Sequence, residues 1–326
     1  FKNKLGGIHY FQQSVRIEKS LRNQRFDNIA AAMQELYETL TLTWVKNAIK
    51  KTGIHKLAFA GGNFQNVKAN QKILSLEEVD DAFFCPAASD EGLAVGAALQ
   101  GYFTLAFKDG IAPNKIPLKK PYFGSSFSND EIKHSLEKNN LLIKSTFVDD
   151  IDEEVGELIS KQDNVVARFS GKMEWGPRAL GNRSILADPS DQNMIRKINQ
   201  AIKKRDFWMP FAPSILSNRL DDYLENSRDS PYMTLTFDTT EKRDELSAAI
   251  HPYDFSCRAQ TVNSEYNPGY EKVLKSFEKK TGIGAVLNTS FNIHGYPIGY
   301  DPELAIKTFT NSDLKYLAIG NYLIKK

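Results

Sequence analysis

Cysteine is nearly absent. Only Cys85 and Cys257 occur among 326 residues, too few for a disulfide framework, and the pair points to a reducing compartment. Histidine is also sparse. His9, His55, His134, His251 and His294 form no i, i+4 pair and have no cysteine beside them, so no complete metal motif is visible. No apolar run reaches about 18 residues and no signal peptide opens the chain. The expectation is a cytoplasmic protein with no membrane partner. One sign of charge hardly exceeds the other: 42 basic and 40 acidic side chains leave a formal net charge of +2. That argues against nucleic acid as a partner across a broad surface, though a local basic groove stays open. A Gly-x-Ser-x-Gly elbow and a Walker loop ending in Gly-Lys-Ser/Thr are both missing, so any phosphate site must use another geometry. The first residue is Phe1 rather than Met, from which we expect a fragment of a longer protein.

Cations are abundant in one place. Residues 164–216 run from NVVARFSGKMEWGPRALGNRSILADP into INQAIKKRDFWMPFAPSIL. Arg168, Lys172, Arg178 and Arg183 sit among Gly171, Gly176, Gly181 and Pro177, and Lys203, Lys204 and Arg205 end the helix that follows. Glycines let backbone N–H groups approach a ligand, and guanidinium forks match phosphate or carboxylate oxygens. A solvated basic loop beside a core strand is the plainer reading, but this density of cations favours an anion site. The interleaved Phe169, Trp175, Phe207 and Trp208 leave single-stranded RNA stacking as an alternative.

In chain order, residues 1–25 read as loop with a Gly6-Gly7 pair. Asp27 reads as the N-cap of a helix to about Lys51, with one apolar face from Ile29 to Ile49 and a stop at Gly53. Strand 57–60 leads into Gly61-Gly62, either a phosphate-facing turn or a plain one. A helix over 65–75 carries Asn66 and Asn70, and strand 81–85 precedes Asp90. Asp90 could be the N-cap of a helix whose Ala94, Gly96, Ala97 and Ala98 predict close packing. Three prolines and two glycines in 109–128 read as a linker. Beyond it the pattern predicts a helix over 129–139, a strand over 141–147 and a helix over 150–161 with Ile151, Val155, Leu158 and Ile159 inward. Strand 165–169 follows, then helix 191–203, strand 231–237, a broken stretch over 238–270, strand 283–287, helix 302–309 and a last strand near 316–324. Alternating strands and helices make both parts α/β. Asn288, Thr289, Ser290 and Asn292 follow the buried strand 283–287, where ligands bind open α/β sheets, or else they make a turn capped by Asn.

The blocks AGGNFQNVKANQKI (60–73), SDEGLAVGAAL (89–99), GKMEWGPRALGNRSILADP (171–189), INQAIKKRDFWMPFAPSIL (198–216) and NTSFNIHGYPI (288–298) resemble, in order, an O-carbamoyltransferase of the nodulation-protein and antibiotic-biosynthesis type. The resemblance covers nearly the whole chain from about residue 26. It implies a partial actin-like (ribonuclease-H-like) domain over 1–110, a linker over 111–128 and a YrdC-like α/β domain over 129–326. Lys203-Lys204-Arg205 matches the family's phosphate-holding K-x-R and Ser290-Phe291-Asn292 its S-x-N. The implied chemistry joins ATP, with Mg2+, and carbamoyl phosphate into carbamoyl-adenylate, then passes the carbamoyl group to a hydroxyl of a small-molecule acceptor.

On that resemblance Lys172, Arg178, Lys203, Arg205, Ser290 and Asn292 are the candidate catalytic residues. Gly61, Gly62, Asn66, Arg168, Arg183, Arg258, Asn288 and Thr289 are candidates for nucleotide or phosphate binding. Spacing does not divide the cations between ATP and carbamoyl phosphate. Asp90 matches the family's ligand to iron or another divalent metal, but the His-x-x-x-His pair that completes the site is absent. The expected partner is therefore the missing N-terminal half of the same protein. A threonylcarbamoyl-adenylate synthase serving tRNA modification, and a non-catalytic nucleotide- or RNA-binding module, are the alternatives.

Overall fold

The computed structural model describes residues 10–114, 117–206 and 208–326. The expected Gly6-Gly7 loop, His9 and Phe207 lie outside them. The chain divides into two compact units, Phe1–Leu57 with Lys72–Asp81 and Ala58–Gln71 with Ala82–Lys326.

In the first unit, α1 (Tyr10–Leu21) precedes the long α2 (Phe26–Thr52). Gly53 ends α2 in the left-handed region at φ 67° and donates its N–H to Ile49. Two expectations for α2 fail. The N-cap is Arg25, and Asp27 lies in the first turn, ion-paired with Arg25 at 2.6 Å. The apolar face is only partly used: Val45 and Ile49 are buried, while Met33, Leu36, Leu40 and Trp44 are each more than half exposed. Buried Glu38 is held by Lys72, and Lys46 pairs with Glu78 at 3.1 Å.

β1 (Lys56–Phe59) and β2 (Asp81–Phe84) form a two-stranded sheet. Phe59 stacks on Phe84 at 5.0 Å and tilts against Phe64 at 4.6 Å. The expected helix over 65–75 is a single turn over Gly62–Gln65 followed by α3 (Val67–Leu74). A further single turn over Asp90–Gly92 precedes α4 (Leu93–Lys108), whose N-cap is Gly92 rather than Asp90. Close packing around the small residues of α4 is not found. A Cβ added at Gly96 would meet nothing within 4 Å, and Ala106 is the one buried residue of this helix among the described residues.

No helix or strand spans the described residues of 111–128. The rest of the second unit comprises α5 (Asn129–Lys138), β3 (Ser145–Phe147), α6 (Ile151–Ile159), β4 (Val165–Phe169), β5 (Arg183–Ala187), α7 (Asn193–Ile198), β6 (Ala212–Leu216), α8 (Leu220–Tyr223), β7 (Gln260–Val262), α9 (Pro268–Thr281), β8 (Ala285–Ser290), α10 (Pro302–Thr310), β9 (Tyr316–Ile319) and β10 (Tyr322–Lys325). One eight-stranded mixed sheet runs β3-β10-β9-β4-β5-β8-β6-β7. Its pleat sorts the side chains. Val165, Ala167, Phe169, Ile185 and Leu287 pack with α5, α7 and α10 on one face. Val166, Leu186 and Val286 pack with α6 and α9 on the other. The expected inner face of α6 is in place, with Ile151, Val155, Leu158 and Ile159 all buried. This is α/β architecture.

Several expected elements move. Residues 142–144 form a 3-10 turn before β3. Residues 231–237 do not pair as a strand apart from one bridge, Phe237 to Cys257, because Met233 adopts φ 56°. The last strand is a hairpin, β9 and β10, turned at Gly320. β5, β6, β7 and α9 were not expected. β5 and β6 are buried at every position, so they show no alternation to read. β8 continues to Ser290, so Asn288, Thr289 and Ser290 are strand residues and not a following turn. Among the described residues no helix is long and apolar enough to cross a membrane.

Candidate anion-binding site

The strand end of β8 meets the end of α7. After Ile198 the helix widens into a π turn over Asn199–Lys203, and Lys204 stops it in the left-handed region at φ 47°. π turns recur at functional sites because they re-aim side chains. Here Lys203 turns inward and is 1% exposed, Lys204 faces solvent and Arg205 is half-buried. Lys203 Nζ donates to Ser290 Oγ at 3.0 Å, to the Asn292 carbonyl at 3.2 Å and to Asn292 Oδ1 at 2.6 Å. Arg205 donates to Thr289 Oγ1 at 3.1 Å and lies 5.2 Å from the centre of the Phe211 ring. The K-x-R and S-x-N stretches therefore form one structure.

Two more cations join it. Burial lowers the pKa of Arg205, and Arg178 lowers it further. Burial, then Arg178 and Arg205, bring Arg258 down to about 9. Burial and Arg205 bring Lys203 down to about 7. Arg178 is itself lowered by burial, against the opposing carboxylate of Glu91. Arg258 Nε is buried without a hydrogen-bond partner among the described residues. Arg178 and Arg205 repel their cationic neighbours here, and a multiply charged anion among them would relieve that repulsion while supplying acceptors.

Other candidates lie elsewhere. Arg168 is on the α6/α9 face of the sheet, 2% exposed, donating to Asp152 Oδ1 at 2.6 Å, to the Gly181 carbonyl at 2.7 Å and to Asn182 Oδ1 at 3.1 Å. Arg183 lies over the Phe169 ring at 3.6 Å and holds the carbonyls of Ser170 and Gly171 at 2.7 and 3.2 Å. Burial pushes its pKa down to about 10. Asn288 is buried under the site and donates to Ala179 O, Ser214 Oγ and Gln260 Oε1, each at 3.1 Å. Lys172 is exposed, and its carbonyl accepts from Asn182.

Gly61 takes φ 108° and donates its N–H to Ala88, and Asn66 accepts from the Ala69 N–H at 3.2 Å. Phe64 and Gln65 of this segment line a cavity of about 10 Å³ with Arg178, room for about one water. Asp90 is exposed in its single turn. Among the described residues no group of three or more His, Cys, Asp or Glu could hold a metal ion. The donors around Asp90 therefore do not fit the implied divalent metal.

Glu174 escaped the sequence reading. It is buried, and its Oε1 accepts from the N–H groups of Leu180, Asn182 and Arg183 at 2.8, 2.7 and 3.1 Å. Its signal was that of a single acid inside a cation-rich, glycine-broken stretch. Gly176 and Gly181 allow the loop to form, at φ 108° and 112°. A Cβ on Gly181 would fall 2.3 Å from the Tyr270 ring, and one on Gly176 would fall 2.9 Å from the Pro86 carbonyl.

The strand end of this α/β sheet gathers one buried and three half-buried cations with hydroxyls and amides, at the kind of position where α/β proteins bind ligands. Family models specify it further: Carbamoyltransferase N-terminus matches residues 3–99, and Carbamoyltransferase C-terminus matches residues 157–326. The chain belongs to the carbamoyltransferase family. It is 38% identical over 339 residues to an uncharacterized protein of Methanocaldococcus jannaschii, covering 100% of this chain and 63% of that one. It is 34% identical to Nodulation protein NolNO of Sinorhizobium fredii, over 93% of this chain and 44% of that one, and 34% identical to Nodulation protein NolO of Bradyrhizobium diazoefficiens, over 93% and 55%. The chain thus spans roughly half the length of these curated relatives. The solved structure of full-length HypF in its phosphate- and nucleotide-bound form aligns at TM-score 0.35 with 14% identity, over 52% of this chain and 21% of that one.

Proposed function

We propose that this chain is part of an ATP-dependent O-carbamoyltransferase, with a partial actin-like segment followed by a YrdC-like α/β domain that forms carbamoyl-adenylate. Family membership supports carbamoyl chemistry. The observation that carries the adenylation reading is the joining of Lys203 to Ser290 and Asn292, and of Arg205 to Thr289, beside Arg178 and Arg258.

In this reading carbamoyl phosphate and ATP, as its Mg2+ salt, are the substrates. One water is taken up, phosphate leaves the carbamoyl group, and a carbamate oxygen replaces pyrophosphate on the α-phosphorus of ATP. Both leaving groups are anions, and preorganised cations lower the barrier where charge develops. Lys203 and Arg205 hold phosphate oxygens, Ser290 and Asn292 fix the Lys203 ammonium, and Arg178 and Arg258 neutralise the second anion. Gly61, Gly62 and Asn66 contact the adenosine end. A hydroxyl of a small acceptor then attacks the carbamoyl carbon and AMP leaves.

The test is ATP–pyrophosphate exchange with and without carbamoyl phosphate. Exchange that depends on carbamoyl phosphate is expected. Its absence at saturating ATP would sink the adenylation step.

A further inference from the structure

The loop from Ala179 to Arg183 has its polar groups engaged from two sides. Its N–H groups at Leu180, Asn182 and Arg183 converge on one carboxylate oxygen of Glu174, and the Gly181 N–H donates to Ser184 Oγ at 3.0 Å. Its carbonyls point the other way. Ala179 O accepts from Asn288, Leu180 O from Tyr122 and Gln260 at 3.0 Å each, and Gly181 O from Arg168. Arg178 precedes this clamped stretch directly, so where its guanidinium falls is set by how the loop is held.

Glu174 Oε2 is buried with no hydrogen-bond partner among the described residues. A buried carboxylate with one oxygen unpaired is costly to desolvate. Packing alone would be met more cheaply by a neutral side chain, whereas a full negative charge draws three amides onto one oxygen far more strongly than an amide oxygen does.

We propose that Glu174 is a positioning residue: its buried carboxylate gathers the amides of Leu180, Asn182 and Arg183 and thereby fixes Arg178 in the cluster with Arg205 and Arg258. The proposal rests on reading that cluster as an anion site, and the test separates the two. Glu174→Gln keeps the side-chain volume and removes the charge. Glu174→Asp keeps the charge on a shorter arm.

Amide hydrogen exchange of the ligand-free protein reads the loop itself. In Glu174→Gln the amides of Leu180, Asn182 and Arg183 should lose at least about tenfold protection while those of β4 and β9 keep theirs. Inorganic pyrophosphate, titrated by calorimetry, reads the site. Glu174→Gln should weaken it about tenfold, Glu174→Asp should recover part of that loss, and Glu174→Gln/Arg178→Ala should bind no worse than Arg178→Ala alone. A purely architectural glutamate would give losses that add. Additive losses, or unchanged protection of the three amides, would overturn the proposal. If the wild type binds no pyrophosphate, the anion reading falls and the role assigned to Arg178 falls with it, while the exchange data still decide whether Glu174 holds the loop.

Discussion

Lys203 Nζ donates to Asn292 Oδ1 at 2.6 Å across 89 residues of sequence. Lys203 is 1% exposed, and all three of its protons are directed at Ser290 or Asn292. A buried ammonium costs several kcal/mol to desolvate unless paired, and its partners here are neutral oxygens. The group is held ready and under-neutralised, the state in which an arriving anion gains most.

The pH dependence follows from that state. Lys203 is brought down to about 7 in the folded protein, against about 10.4 when unfolded. Between these values the unfolded chain holds the proton and the folded one does not, so stability of the ligand-free protein should rise with pH across that window and level off above it. Pyrophosphate binding should show the opposite trend, weakening by up to about tenfold per pH unit above 7. Calorimetry in buffers of differing ionisation enthalpy should register proton uptake on binding near pH 8. Pyrophosphate affinity that stays flat from pH 6 to 9 would remove Lys203 from the site.

Arg205→Ala should weaken ATP or pyrophosphate binding about ten- to a hundredfold, the loss of a charge-assisted hydrogen bond of roughly 1.5–3 kcal/mol. Among the described residues the Arg205 guanidinium makes one hydrogen bond, to a neutral hydroxyl, and a ring contact, and its removal also relieves repulsion on Lys203 and Arg258. Thermal unfolding should shift little. Calorimetric titration and a melting curve on the same sample check both halves.

Gly181→Ala should destabilise the second unit by about 2–4 kcal/mol, since the new Cβ meets a buried ring and a left-handed backbone disfavours any side chain. The ring is that of Tyr270, 2.3 Å from the added atom. Urea unfolding monitored by fluorescence measures the change in midpoint. A wild-type midpoint would show that the loop has room to move away from α9.

Metal analysis of the dialysed chain should find less than one equivalent of iron or zinc. Asp90 has no group of further ligands around it among the described residues, and tight transition-metal sites use about three or four protein donors. One full equivalent retained would mean that the ligands come from residues not yet recognised.

Short-range information was legible in the sequence because it depends only on neighbours along the chain. The i, i+3, i+4 spacing of Ile151, Val155, Leu158 and Ile159 identified the buried face of α6, and the density of cations from Arg168 to Arg205 singled out a candidate anion site. The family blocks picked out Lys203, Arg205, Ser290 and Asn292, though not that they touch.

Contact between them was decided by strand order. β8 lies between β5 and β6, which carries Thr289 and Ser290 to the end of α7, a juxtaposition that no local pattern encodes. The same tertiary structure separated cations that look alike in sequence. Arg168 alternates with Ala167 and Phe169 along β4, so the pleat sends it to the α6/α9 face, where Asp152 pairs with it. Arg183 is buried over Phe169 and directs its terminal N–H groups at backbone carbonyls. Residue type made every one of these arginines a candidate for an anion. Burial and the partners reached across the sheet set Arg168 and Arg183 apart from Arg178, Arg205 and Arg258, because a guanidinium whose terminal nitrogens are already engaged by protein oxygens has fewer donors left for a ligand.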